Sequence, residues 1–216
     1  MLKKFTLLLG SLAIMTTAPA FAADATPENT LLMDLPHGRV TIQLLPDVAP
    51  KHVERIKMLT REKFYDGVIF HRVIDGFMAQ TGDPTGTGTG GSSYPDLPAE
   101  FNDTNFGRGA VGMARTMNPN SANSQFFICF QDCSFLNGQY TVWGQVTEGM
   151  DVVDKITRGE PPANPDKIVK MSVAADAGAT AATTAAPAAE APTAEPAAPA
   201  AGDAAPADEA KGAAAQ

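Results

Sequence analysis

The residues best placed to do chemistry lie in one run, Phe70-His71-Arg72-Val73-Ile74-Asp75-Gly76-Phe77-Met78-Ala79-Gln80-Thr81-Gly82-Asp83. Its apolar residues suit short strands, with Arg72 and Gln80 among them. In an extended chain Phe70, Arg72 and Ile74 share one face, and His71 and Val73 take the other. A guanidinium beside Phe and Ile is costly if it is buried without partners. It is either a functional cation on an apolar face or a surface Arg in a cross-strand pair, and the pattern alone leaves the two level. Other candidates offer less. Gly86-Thr87-Gly88-Thr89-Gly90-Gly91 lacks the Lys-Ser/Thr of a phosphate loop and does not join a strand to a helix, so a flexible surface loop is expected. His37, His52 and His71 have no metal-ligand spacing, and no metal or cofactor is expected. Cys129 and Cys133 would lie about 13 Å apart along an extended chain, beyond disulfide reach unless the chain turns sharply. Two free, mostly buried thiols are expected, and neither has an adjacent basic residue to make it a nucleophile.

The elements that must position these residues are short. Leu31–Leu35 and Arg39–Leu45, joined through Pro36-His37-Gly38, read as a β-hairpin. Pro50–Arg61 reads as a helix, with Pro50 near its first turn and Val53, Ile56 and Leu59 on one face. Apolar runs then recur between Gly, Asn and Asp: Val68–Phe70, Phe77–Ala79, Ala110–Ala114, Phe126–Phe130 and Tyr140–Val146. Met150, Val152, Val153 and Ile156 suit a short helix, and Ile168–Val173 a last strand. Many short strands with two helices predict a closed antiparallel barrel rather than a βαβ sheet.

Composition separates this middle from both ends. The 216 residues carry 16 basic and 24 acidic side chains, a net −8 that argues against nucleic-acid binding by bulk charge. Met1-Leu2-Lys3-Lys4, an uncharged stretch through Ala18 and Ala20-Phe21-Ala22 read as a cleaved export signal over residues 1–22, followed by a short lead over 23–30. The apolar run is closed early by Pro19 and Ala20, so no stable membrane insertion is expected. The expected location is the periplasm. Residues 174–216 hold 23 alanines, five prolines and no aromatic, and read as a disordered, acidic tail. Loss of Lys3 and Lys4 takes the charge to −10, of which this tail carries −5. One domain remains, over residues 31–173, long enough to bury a sizeable core.

Within that domain five runs occur in a familiar order. They are Phe70-His71-Arg72-Val73-Ile74 with Gly76-Phe77-Met78 and Gln80; Gly112-Met113-Ala114; Asn123-Ser124-Gln125-Phe126-Phe127-Ile128; Phe135-Leu136-Asn137-Gly138; and Val142-Trp143-Gly144-Gln145-Val146. Together they resemble the cyclophilin-type peptidyl-prolyl cis-trans isomerases, over roughly Leu31 to Val173. The resemblance implies a mainly β fold, an eight-stranded antiparallel barrel capped by two helices. It implies an enzyme that rotates X-Pro bonds and assists folding of exported proteins, acting on unfolded or partly folded proline-containing polypeptides, and a monomer is expected.

The resemblance also implies roles. Arg72 would be the cationic donor to the twisted amide, and Gln80 would orient Arg72 and hydrogen-bond the substrate. Phe77, Met78, Phe127 and Leu136 would hold the proline ring, and Ala114 and Gln125 would form a groove wall. The backbone at Arg115 would bond the extended substrate, and His71 would line the active-site face. Phe135 stands where many eukaryotic members carry a Trp and Tyr140 where they carry a His, so cyclosporin-type inhibitors should bind weakly for want of the indole N–H. The alternative of a different class is a non-catalytic proline-peptide binding module or chaperone, and a third is a scaffold centred on the tail.

Overall fold

The structure, a computed structural model, describes residues 26–177. The expected export signal and nearly all of the expected tail lie outside those residues. Strand β1 (Thr30–Leu35) turns through Pro36 and His37 into β2 (Gly38–Leu44), with Leu35 opposite Gly38. Alternation decides their faces: Leu31, Met33 and Leu35 of β1 are buried while Thr30, Leu32 and Asp34 are half-buried.

Helix α1 (Pro50–Arg61) begins at a proline, as its sequence predicts, and buries Val53, Ile56 and Leu59. Its N-cap, Ala49, offers no side-chain acceptor. Glu100 from a distant loop supplies one: its carboxylate accepts from the backbone N–H groups of Lys51 and His52 at 3.1 and 3.0 Å, satisfying orphan donors of the first turn. Then follow β3 (Arg72–Ile74), β4 (Met78–Thr81), β5 (Ala110–Met113), β6 (Phe126–Cys129) and β7 (Val142–Glu148). A one-turn α2 (Met150–Val153), β8 (Lys170–Val173) and a one-turn α3 (Ala174–Ala177) complete the described chain. The first four residues expected in the disordered tail are therefore helical, and Asp176 among them accepts from Arg61 Nε at 2.8 Å.

The eight strands form one antiparallel sheet in the order β3-β4-β6-β5-β7-β2-β1-β8. The expected closed barrel is corrected here to a curled half-barrel, because the edge strands β3 and β8 share no ladder. Among the described residues the gap is crossed by isolated bridges, Ile69 with Lys167 and Val73 with Gly159, and by a hydrogen bond from Gly67 N–H to the Ile168 carbonyl. The physical reason is in the segment that leads to β8: Pro161, Pro162 and Pro165 have no N–H to donate, so a continuous ladder cannot run there. Val68–Phe70, expected as part of the strand pattern, accordingly makes a bridge rather than a named strand.

The curl gives the sheet two unequal faces. Inside, Val40, Ile42, Tyr65, Phe70, Val73, Ala79, Val111, Phe126, Ile128 and Trp143 join a large buried core with the apolar stripe of α1. Outside, a smaller cluster gathers Met78, Phe106, Ala110, Phe127, Cys129, Cys133 and Val142, with Ile74, Phe77, Ala114, Leu136 and Tyr140 half-buried against it. The period of two assigns neighbours in one strand to opposite faces, Phe126 and Ile128 inward, Phe127 and Cys129 outward.

Candidate active site

The outer face carries a row of side chains set by strand register. Arg72 pairs with Gln80, Gln80 with Phe127, Phe127 with Gly112, and Gly112 with Val142. A cation, an amide and an aromatic ring therefore stand side by side across β3, β4 and β6. Next along the same face, Ile74 pairs with Met78 and Met78 with Cys129. Arg72 and Gln80, eight residues apart, are brought together by the β3–β4 hairpin.

Around Phe127 the face becomes an apolar recess. Phe106 stacks on Phe127 at 5.7 Å between ring centroids, and Tyr140 meets the same ring edge-on at 5.9 Å. Phe77 lies 5.3 Å from Phe135, which is 62% exposed and so stands at the rim. Gly112 makes room for this stack: a Cβ there would meet Phe106 and Phe127 ring carbons, each at 2.5 Å. Preformed apolar walls of this kind suit a small hydrophobic ring.

Beside the recess, on the far side of Gln80, lies a cavity of about 440 Å³ with Gln80, Ala114, Arg115 and Gln125 in its walls, together with Gly88–Ser92, Asp96 and Asn123. The residues expected in the site thus divide between two adjoining depressions. Gln125 ties them together: it accepts from Gln80 Nε2 at 2.9 Å and donates to the Gly88 and Gly90 carbonyls at 3.0 and 2.8 Å.

The wall formed by Gly86–Gly91 is not the simple surface loop its composition predicts. It wraps around buried Asp83, whose carboxylate accepts from the backbone N–H groups of Thr85, Gly88 and Gly90 and from the Thr85 and Thr87 hydroxyls. Burial opposes the charge, but the Thr85 hydroxyl and these backbone donors outweigh it and hold the carboxyl well below its ordinary range. Alternating Thr and Gly after an Asp was the available signal, and its meaning depends on the acid turning inward.

His71 does not share the row with Arg72. It is 6% exposed and lies beneath the Gly88 wall, where a Cβ on Gly88 would stand 3.4 Å from its ring. Among the described residues neither ring nitrogen makes a hydrogen bond of good geometry, although the Gln125 side chain lies beside the ring. Desolvation pushes its pKa below the usual imidazole value, which favours the neutral ring. His71 thus packs against the loop that walls the second cavity, and the alternation expected over Phe70–Ile74 holds only within β3, since Phe70 joins Val73 in the inner core while Arg72 and Ile74 turn outward.

Gln80, expected to orient Arg72, spends its Nε2 on Gln125, and the partner of Arg72 is instead Glu160, 2.8 Å from Nε. Arg115, singled out for its backbone, also works through its side chain. Its guanidinium lies 4.3 Å over the Tyr140 ring and donates to the Thr116 and Gln139 carbonyls at 2.8 and 2.7 Å. Cys129 and Cys133 are free and buried. The chain turns after β6, so the thiols are neighbours. Cys133 beside it and burial push the Cys129 thiol up, away from nucleophilic use. Among the described residues no group of three or more His, Cys, Asp or Glu could hold a metal ion.

Comparison with known proteins bears on what this arrangement does. The family model described as "Cyclophilin type peptidyl-prolyl cis-trans isomerase/CLD" matches residues 30–173. A Brucella suis protein named "Probable peptidyl-prolyl cis-trans isomerase" is 56% identical over 182 residues, 77% of this chain and 92% of the relative. The crystal structure of a Hirschia baltica cyclophilin aligns with a TM-score of 0.65 at 30% identity, covering 70% of this chain and 76% of that one. A Cryptosporidium parvum cyclophilin-type isomerase, crystallised in the presence of the dipeptide Ala-Pro, aligns with a TM-score of 0.63 at 28% identity, covering 67% and 98%.

Proposed function

The chain belongs to the cyclophilin-type peptidyl-prolyl cis-trans isomerases, and from that premise we propose how its outer face turns an X-Pro bond. The observation that carries the proposal is the row Arg72–Gln80–Phe127 beside an apolar recess. Rotation about a peptide bond must break amide resonance, over a barrier of about 18–20 kcal/mol. No covalent intermediate is needed. A catalyst has to grip the proline ring, let the flanking carbonyl swing and bind the twisted state better than the planar one.

In this reading Phe77, Met78, Phe127 and Leu136 receive the proline ring, with Phe135 and Tyr140 at the rim. Arg72 directs N–H groups at the proline amide, whose nitrogen becomes more basic as it pyramidalises. A guanidinium keeps its charge throughout the physiological range, and a preorganised donor against a charge that develops only in the transition state is effective catalysis. Gln80 turns its carbonyl oxygen to the substrate while Gln125 holds its nitrogen. The backbone at Arg115 bonds the extended chain, and Ala114 and Gln125 guide it past the second cavity. The test is a protease-coupled or NMR exchange assay on an X-Pro peptide, with Arg72→Ala as the comparison.

The same proposal covers place and substrates. Lys3-Lys4, the apolar stretch and Ala20-Phe21-Ala22 support an export signal removed after Ala22, with the domain working in the periplasm on unfolded or partly folded exported polypeptides. Mass spectrometry of the protein from a periplasmic fraction should give Ala23 as the first residue; an N-terminus at Met1 would contradict export by cleavage. Phe135 supplies no indole N–H, so cyclosporin-type compounds should inhibit weakly, and tight inhibition would count against that role of the rim.

A further inference from the structure

Arg72 lies on an edge strand, yet its guanidinium is held. The Nε–H donates to Glu160 Oε2 at 2.8 Å, and no other hydrogen bond of this side chain is found among the described residues. A contact of that length between surface groups can be incidental, but the backbone argues otherwise here. Residues 158–160 run beside β3 and meet residues 72–75 at three successive points. Arg158 Nε donates to Asp75 Oδ1 at 3.1 Å. Val73 and Gly159 exchange both backbone hydrogen bonds, each 2.8 Å. Then Glu160 meets Arg72.

The segment is itself fixed from behind. The Arg158 guanidinium lies 4.0 Å over the Phe130 ring and donates to the Asp154 and Ile156 carbonyls at 3.0 and 2.5 Å. Gly159 has φ +147°, and a Cβ there would meet Pro162 Cα at 2.5 Å, so the turn that presents Glu160 depends on a glycine.

The mode of contact matters. A guanidinium presents five N–H groups along distinct edges. A carboxylate that engaged both Nη groups would occupy the edge needed by a substrate. Engagement at Nε alone leaves Nη1 and Nη2 free. We infer that Glu160 is a positioning residue for the isomerase reaction, anchoring Arg72 through Nε so that its Nη groups meet the twisting amide. This rests on the role proposed above for Arg72. Both side chains are substantially exposed, 41% and 51%, so the pair contributes little to folding stability. Its effect is on orientation: an untethered Arg on an edge strand spreads over many rotamers, and each turnover must then collect it again.

The experiment measures kcat and KM on an uncharged X-Pro peptide for the full chain and for Glu160→Gln. The expected result is a fall in kcat of about threefold to fivefold, the scale of an exposed ion pair. KM should stay within about twofold and the thermal midpoint should not move, because the tether acts on the twisted state. Salt should bring the parent toward the variant as the Debye length shrinks from about 30 to about 3 Å, while the variant changes little. In an Arg72→Lys background, which lacks Nε and the fork, Glu160→Gln should cause no further loss. An unchanged or raised kcat in Glu160→Gln overturns the inference, as does the same loss in the Lys background as in the parent. Loss in Arg72→Ala with no effect of Glu160→Gln overturns the tether alone; full activity in Arg72→Ala overturns both.

Discussion

Phe126 and Phe127 are neighbours in one strand, yet one serves the fold and the other the site. Phe126 points into the closed core, packed edge-on against Tyr65 and Trp143 at 5.5 Å each. Phe127 points out, stacked on Phe106 with Tyr140 at its edge. The inner face is buried and mainly apolar, with the apolar stripe of α1 packed against it. The outer face is apolar only around Phe127 and is edged by Arg72, Gln80 and a polar cavity. A rigid sheet can hold a cation and a greasy recess at fixed separation because the same strands are pinned from behind by a core that takes no part in the chemistry. Substitutions should therefore separate by face: inward ones change stability, outward ones change turnover.

The sharpest contrast comes from Phe126→Ala. Truncating a buried ring should cost about 3–5 kcal/mol of unfolding free energy, read from the denaturation midpoint. The molecules that remain folded should turn over near the parent rate; a large loss of turnover at unchanged stability would break the division between faces. Gly112→Ala acts from the outer side. Its Cβ would drive Phe106 and Phe127 apart, and overpacking of this kind costs about 1–3 kcal/mol. The recess deforms, so kcat/KM should fall as well, and a variant with normal activity would show that the Phe106–Phe127 stack is not part of the pocket. The smallest effect at neutral pH concerns Asp83. Its carboxyl is held below the ordinary 3.8, so its contribution to stability is complete above that value and fades as pH falls through it. Denaturation midpoints should be flat near neutrality and drop below about pH 4. In Asp83→Asn part of that acid drop should vanish; parallel profiles would rule out the anchored loop as its source.

Much of this division is legible in the residues. The hairpin β1–β2, the helix Pro50–Arg61 and the runs around Phe77, Val111, Phe126 and Trp143 follow from period and punctuation, since each is a local property. Closure of the barrel is not local. It depends on whether β3 meets β8, and three prolines far along the chain from Arg72 prevent a ladder there. The outer row can be inferred by alternation once Arg72 and Gln80 are set in strands, but their side-by-side pairing needs the hairpin register. The face of Phe70 is hidden for a related cause: it precedes β3, where the period of two no longer fixes which way a side chain turns. Glu160 and the inward turn of Asp83 are hidden for a further reason. A carboxylate 88 residues from its partner has no signature in spacing, and an acid that folds a loop around itself looks, in one dimension, like any turn.

The central claim is that the outer face catalyses through Arg72 while the inner face only supports it. Measuring kcat/KM for Arg72→Ala on an X-Pro peptide, alongside its thermal midpoint, tests this most directly. Loss of a preorganised donor should lower kcat/KM by about 10²–10³-fold with the midpoint unchanged. Activity within a few fold of the parent, or a loss fully matched by unfolding, would contradict it.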